Sequence, residues 1–246
     1  LGHCQLRSTH LEGGCPVKIS IDLGAYRRNI LKLREHLSPS SLMAVVKDDA
    51  YGHGIDRIVP EALSAGVERF AVLDIETGLR VREIVPRDVQ LFAWLFGPTD
   101  RFREAIDAGI DLGVSNVDVL NAIASQALNE VARVHLKIDS GLRRNGSSVE
   151  QWDALIGRAL HWQAQSRIRV VGIWTHIGEA SDDEDEKSQR IFDAAVARAE
   201  QAGLVIEQRH LAASAASFAR ADFRYDFCRV GGFTYGIAPG DGIGPE

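Results

Sequence analysis

Residues 132–174 read ARVHLKIDSGLRRNGSSVEQWDALIGRALHWQAQSRIRVVGIW, and this stretch decides the fold. Two β-branched, apolar runs (132–138 and 168–174) bracket a segment of helical period over 149–164. Strands that alternate with helices of this length make βαβ units, and βαβ units build a parallel sheet.

The same alternation extends both ways. Upstream, strands are expected at 42–47, 69–73, 89–95 and 111–114; downstream, at 205–211 and 226–230. Helical stretches lie between most of them, at 56–65, 75–84, 99–108, 117–129 and 185–202, with Gly66, Gly109 and Gly203 as stops. Eight strands in about 190 residues is the count of an α/β, (β/α)8 TIM barrel. An open doubly wound sheet shares the alternation and stands as the alternative. Ahead of these units, 17–21 (VKISI) reads as an extra strand, followed by Asp22 as N-cap of a helix over 23–37. That strand has no place in an eight-strand count and is assigned to another layer or domain. The acidic run Asp182–Glu186 reads as the solvated first turn of the helix at 185–202, where the helix dipole favours negative charge, and not as a metal site.

Composition narrows the function classes. The chain has 246 residues, 45% hydrophobic and 25% charged, which makes one large domain or two small ones. A domain of this size needs no disulfide or metal to hold its core. No run approaches the 18 apolar residues of a membrane span. A net charge of −6 argues against a nucleic-acid partner. Three cysteines (Cys4, Cys15 and Cys228) without framework spacing fit a reducing, cytoplasmic compartment. Residues 1–16 lack the apolar stretch of a secretory signal, and the only methionine is Met43, so 1–16 reads as a leader or vector-derived segment. The domain proper is expected over 17–240, with 241–246 starting a linker.

Chemistry collects just past the strands. Lys47 ends the first, Lys137 and Asp139 the fifth, with Arg144 beyond; His176 ends the sixth, Ser214 follows the seventh, and Arg229, Gly231 and Gly232 close the eighth. Barrel enzymes build their sites at these C-terminal ends, commonly holding phosphate after strands 7 and 8. Desolvation and nearby cations turn a strand-end lysine into an imine-forming amine; a rim lysine paired with Asp48 or Asp49 is the plainer reading. Singly, each residue has a structural explanation. Together, an imine-capable lysine, an imidazole face and a glycine-rich phosphate cradle with Ser214 and Tyr51 meet the needs of a pyridoxal phosphate ring.

Five segments carry a family resemblance. VVKDDAYGHG (45–54), HLKIDSGLRRNG (135–146), THIGEASD (175–182), HLAASAAS (210–217) and RVGGFTYGIAP (229–239) resemble, in order, the motifs of the alanine racemases. The resemblance implies that Lys47 carries pyridoxal 5'-phosphate as an internal aldimine and serves as one of two bases in the conversion of L-alanine to D-alanine. Tyr51 and Ser214, with the backbone of Gly231 and Gly232, would bind the phosphate. His176 would lie near the pyridine face and organise Arg229. Arg229 would face the ring nitrogen, and Arg144 would orient the phenolic oxygen with support from Lys137, a residue carbamylated in many family members. The family also implies a homodimer acting on a small amino acid in the cytoplasm, its D-alanine supplying peptidoglycan.

The chain departs from the pattern at Asp48-Asp49, where Ala-Asn is usual, and at Ala213, where Asn is usual; Gly232 replaces a bulkier residue. Asp48 and Asp49 would oppose imine formation unless both point away from Lys47. None of Tyr26, Tyr51, Tyr225 and Tyr235 matches the family's second base, a tyrosine in a C-terminal β domain that serves the neighbouring subunit. The chain alone is therefore expected to be inactive. Two rivals stay open: a non-enzymatic, single-domain pyridoxal-phosphate-binding barrel, and a racemase for another amino acid such as serine.

Overall fold

A computed structural model describes residues 19–97, 99–179 and 181–238. All eight expected strands form: β1 (Ser41–Val45), β2 (Arg69–Val72), β3 (Gln90–Ala93), β4 (Asp111–Val114), β5 (Ala132–Lys137), β6 (Ile168–Trp174), β7 (Gln208–His210) and β8 (Phe227–Val230). Neighbours pair in parallel in the order β7-β6-β5-β4-β3-β2-β1-β8. First and last strands are thus hydrogen-bonded partners, with Leu42 opposite Cys228 and Ala44 opposite Val230. At the remaining seam, Asp226 N donates to Arg209 O (3.1 Å) and Arg229 N to Ala212 O (3.1 Å), so the sheet nearly closes on itself. A doubly wound sheet reverses its strand order midway. This one does not, and the barrel stands.

Eight α-helices accompany the strands among the described residues: α1 (Leu23–Leu37), α2 (Ile55–Ser64), α3 (Ile75–Ile84), α4 (Phe102–Asp107), α5 (Val117–Gln126), α6 (Val149–Ala164), α7 (Asp182–Gln201) and α8 (Ser214–Ala219). Short polar side chains start four of them. Asp22 accepts from Ala25 N (2.9 Å), Asp74 from Thr77 N (2.7 Å), Asn116 from Val119 N (2.9 Å) and Ser181 from Glu184 N (3.3 Å). Each such cap contributes about 1 kcal/mol. With Ser181 as its cap, α7 starts at Asp182, three residues before the expected boundary, and the acidic run forms its exposed first turn.

Two apolar layers result. One lies between the sheet and the helices. The other fills the bore, where Met43, Val45, Ala71, Phe92, Trp174 and Phe227 pack together. Because the bore is packed, a ligand has only the mouths of the barrel to enter.

The extra strand expected at 17–21 is corrected. Its described residues, 19–21, form no strand, and Ile19 is exposed. Apolar alternation over five residues specifies a strand only where an edge is present to pair with it. The helix after it does form: α1 buries Tyr26, Ile30, Leu33 and Leu37 and packs on β1, α2 and the 3-10 turn Gly232–Tyr235 after β8. Residues 17 and 18, the expected leader (1–16) and the expected linker start (241–246) lie outside the described residues.

Candidate active site

The C-terminal mouth holds a cavity of about 460 Å³, lined by Lys47, Tyr51, Lys137, Arg144, His176, Ser214, Arg229 and Gly231 among others. That is within the roughly 300–1,000 Å³ of small-molecule sites. Of the expected site residues only Gly232 is outside the lining; it opens the 3-10 turn directly after Gly231. Among the described residues, no aspartate or glutamate lines the cavity. In a chain of net charge −6, four cationic side chains and an imidazole face one space without an acid in its wall.

Backbone strain aims Lys47. Immediately after it, Asp48, Asp49, Ala50 and Tyr51 all adopt left-handed backbone, with φ of 53°, 51°, 56° and 54°. Each such non-glycine residue costs about 1–2 kcal/mol. Asp tolerates the region better than most, which gives the Asp48-Asp49 pair a structural role. Hydrogen bonds hold the turn: Gly52 N to Asp48 O (2.9 Å), His53 N to Ala50 O (3.0 Å) and Gly54 N to Asp49 O (2.9 Å). Ala50 is fully buried beneath it.

The two acids go separate ways. Asp49 Oδ1 caps α2 by accepting from Ile55 N (3.1 Å) and also receives Arg80 Nη1 (3.1 Å). Asp48 Oδ2 stays 3.7 Å from Lys47 Nζ and is well exposed, a weak pairing. Only one of the two carboxylates therefore turns fully away from Lys47.

Opposite, Arg229 is buried and almost wholly satisfied by neutral acceptors. Its guanidinium donates to Thr175 O (2.7 Å), Leu211 O (2.9 Å), His210 O (3.1 Å) and His210 Nδ1 (2.7 Å), with His176 Nδ1 at 3.5 Å. Burial brings its pKa down to about 10, so it stays charged at neutral pH. His176, expected to organise Arg229, lies 3.5 Å from it, and His210, not anticipated as a site residue, makes the short contact at 2.7 Å. Burial first, then Arg229, Arg144, Lys137 and Lys47, push the His176 pKa down to about 3, so its ring is neutral.

Lys137 lies over the Trp174 ring (4.4 Å to the centroid) and donates to Asn145 Oδ1. Burial, Arg229 and Arg144 lower its pKa to about 7. An ammonium here gives Arg144 no acceptor, so the expected support of Arg144 by Lys137 requires that nitrogen to be unprotonated or to carry an added acceptor.

On the β7–β8 side, Ser214 Oγ accepts from Gly231 N (3.2 Å), and a Cβ at Gly231 would collide with the Tyr51 hydroxyl. Glycine is thus required for Tyr51, Ser214 and the backbone to converge. Glu179, from the loop after β6, ties that loop to α8 by accepting from Ala216 N (2.8 Å).

Trp174 and Trp94 also line the cavity and were missed by sequence reasoning. Trp174 stands two residues before His176, and period two along a strand places i and i+2 on one face. That signal was available. Asn145, brought in by the loop after β5, offered none.

The family model for the N-terminal domain of alanine racemase matches residues 21–239. This chain belongs to the alanine racemase family. It is 38% identical over 229 residues to the alanine racemase of Beutenbergia cavernae, covering 91% of this chain and 60% of that protein. The alanine racemase structure from Streptomyces coelicolor superposes with a TM-score of 0.88 at 36% identity, covering 91% of this chain and 61% of that one. A second alanine racemase structure, from a D-cycloserine-producing Streptomyces lavendulae, gives 0.86 at 34% identity, over 89% and 59% of the two chains. The chain therefore spans about 60% of the length of the alanine racemases it matches.

Proposed function

We propose that this chain is the barrel of a pyridoxal-phosphate-dependent amino-acid racemase acting on alanine, with Lys47 as the base on one face of the substrate carbon. The carrying observation is the acid-free, cation-walled cavity with Lys47 at the end of β1. A doubly charged phosphate and a substrate carboxylate both fit such a wall. The family match runs along nearly the whole chain and supports this reading over a non-enzymatic cofactor-binding barrel.

The residues fit the cofactor. Tyr51 Oη, Ser214 Oγ and the Gly231 backbone converge where the Gly231 Cβ is missing, a cradle for phosphate. The imidazole of His176 in the cavity wall suits a planar ring. When bound, pyridoxal phosphate would supply the electron sink that makes a substrate α-proton removable. Lys47 would take up and return that proton on its own side. Arg229 would face a ring nitrogen with the one N–H its carbonyl and imidazole partners leave over, without giving up a proton, because its pKa of about 10 keeps it charged. His176, neutral, would add no competing positive charge. Lys137, with a pKa near 7, is basic enough and sufficiently unprotonated to add carbon dioxide, giving a carbamate and one proton; the carbamate would supply the acceptor that Arg144 needs.

Inversion needs a proton donor on the opposite face. Tyr51 is committed to the Gly231 side; Tyr225 donates to Asp193 (2.6 Å), and Tyr235 to Val45 O (3.1 Å). Tyr26 is buried under the barrel's outer layer. We therefore propose that a partner subunit in a cytoplasmic homodimer supplies the second base, as the resemblance implies.

The test is α-proton exchange in heavy water by the complete gene product loaded with cofactor. Interconversion of L- and D-alanine with solvent deuterium incorporation is expected. Exchange on serine but not on alanine would transfer the proposal to another substrate, and no exchange on either would overturn it.

A further inference from the structure

A file of four side chains runs through the bore and joins the cavity to the opposite mouth. Arg229 Nη1 lies 2.7 Å from His210 Nδ1, His210 Nε2 lies 3.0 Å from His135 Nδ1, and His135 Nε2 lies 3.3 Å from Asp111 Oδ2. None of the four is more than 5% exposed. Asp111 opens β4 at the N-terminal mouth, where Arg133 Nε (2.6 Å), Arg133 Nη2 (3.2 Å) and Gln90 Nε2 (2.8 Å) donate to it.

Donor rules assign every proton in this file. A guanidinium has only donors, so His210 Nδ1 accepts. The single proton of a neutral imidazole is then on Nε2, which donates to His135 Nδ1. The His135 proton is on Nε2 in turn, and Asp111 accepts it. A protonated ring at either position sets two N–H groups against each other. The rings are also held in place. His210 is stacked between Trp174 (centroids 5.7 Å, planes 7° apart) and Phe227 (4.4 Å, 26°). A Cβ at Gly172 would collide with the His135 ring, and the β5–β6 register shifts between Val134 and His135, which makes room for it.

An obligate donor at one end and a carboxylate at the other polarise the bonds between them in one direction. The carboxylate strengthens the His210 Nδ1 lone pair that Arg229 receives. We propose that Asp111, on the far mouth of the barrel, is a positioning residue for Arg229, acting through His135 and His210. Its effect on the cofactor rests on the role given to Arg229 above; the proton assignment does not.

The experiment is nitrogen NMR of the full chain, labelled in its histidine rings, without and with pyridoxal phosphate. In the cofactor-free wild type, His135 and His210 should each show one protonated nitrogen, Nε2, and one unprotonated nitrogen, Nδ1. In Asp111→Asn, Arg133 claims the amide oxygen and leaves the NH2 facing His135. Both rings should then lose the single-tautomer pattern together, with about tenfold weaker cofactor binding. Asp111→Leu removes the acceptor without adding a donor, so Arg229 still keeps both rings protonated at Nε2, and the lost polarisation should show as a joint shift of the His135 Nε2 and His210 Nδ1 resonances. Arg133→Leu should leave the rings unchanged, because Asp111 remains. An Nδ1 proton or a doubly protonated ring in the wild type overturns the proposal. So does an unchanged tautomer pattern in a folded Asp111→Asn variant, or unshifted ring nitrogens in a folded Asp111→Leu variant, folding being judged by circular dichroism. Wild-type protein with the expected tautomers but no cofactor binding would instead sink the functional reading and leave the hydrogen-bond file standing.

Discussion

The two mouths of this barrel use the same side chains to opposite ends. At the N-terminal mouth, charge is paired: Arg133 meets Asp111, whose carboxyl is held below its usual range because the His135 and Arg133 hydrogen bonds outweigh the opposing effect of burial. At the C-terminal mouth, charge is left unpaired. Lys137, Arg144 and Arg229 face one cavity without a carboxylate in its lining, and their mutual repulsion adds to burial in driving Lys137 down to about 7 and His176 to about 3. At one mouth charge meets its counter-charge, whereas at the other the fold holds like charges side by side, the pattern expected of a functional site.

The sharpest way to break this contrast is to remove the amine at the functional mouth. Lys47→Ala in the complete enzyme should reduce alanine racemisation by at least about 10²–10⁴. Asp111→Asn at the other mouth should leave Lys47 free to react, so an equal loss from both variants would erase the distinction. Steady-state rates in both directions check it.

Stability probes the next level. Arg229→Leu strips the donor from three buried carbonyls, Thr175 O, Leu211 O and His210 O. At about 1–3 kcal/mol for each polar group left unpaired, the loss should reach roughly 3 kcal/mol or more in denaturant titrations. Arg229→Glu keeps a charge but turns it against those carbonyls. In the complete enzyme, racemisation should fall and transamination products rise; an unchanged product ratio would remove Arg229 from the ring nitrogen.

The pH dependence has a definite sign. A His176 pKa of about 3, against 6.5 in the unfolded chain, means that the unfolded state binds the extra proton between those values. His176 therefore draws stability down as pH falls from about 6.5 toward 3, by at most about 1.4 kcal/mol per pH unit. His176→Gln should show a shallower acid limb in the same titrations. Lys137, lowered from 10.5 to about 7, acts on the alkaline side: stability rises with pH through that window, and Lys137→Met should flatten the rise.

The smallest effects belong to the exposed acids beside Lys47. Asp49→Ala should cost about 1 kcal/mol, from the lost cap on α2 and the added strain of Ala in left-handed backbone. Asp48→Ala should lose less, because its contact with Lys47 is long and exposed. Thermal melts of the two variants rank them.

Most strands were legible because they are buried on their inner and outer faces and read as nearly continuous apolar runs; β7, Gln208–His210, is the exception, polar and only partly buried. Helix ends were less so. The helix expected at 99–108 contracts to Phe102–Asp107, and the one at 117–129 stops at Gln126, with Ala127 N bonded back to Ile123 O (3.1 Å). Most site residues were visible as polar groups interrupting those apolar runs at one end. The left-handed turn at 48–51 was not, since propensity treats Asp-Asp-Ala-Tyr as ordinary chain and only tertiary packing around Ala50 selects the strained form. His210 and His135 were hidden for a different reason. Each sits inside a strand, and only the assembled bore reveals that their rings meet.

The proposed function places an imine-forming cofactor on Lys47 in the acid-free mouth. Reduction of the full chain with borohydride in the presence of pyridoxal phosphate, followed by peptide mapping, tests it most directly. The label should appear on Lys47 and vanish in Lys47→Ala. A label on Lys137, or on no lysine, would remove Lys47 from the proposed cofactor site.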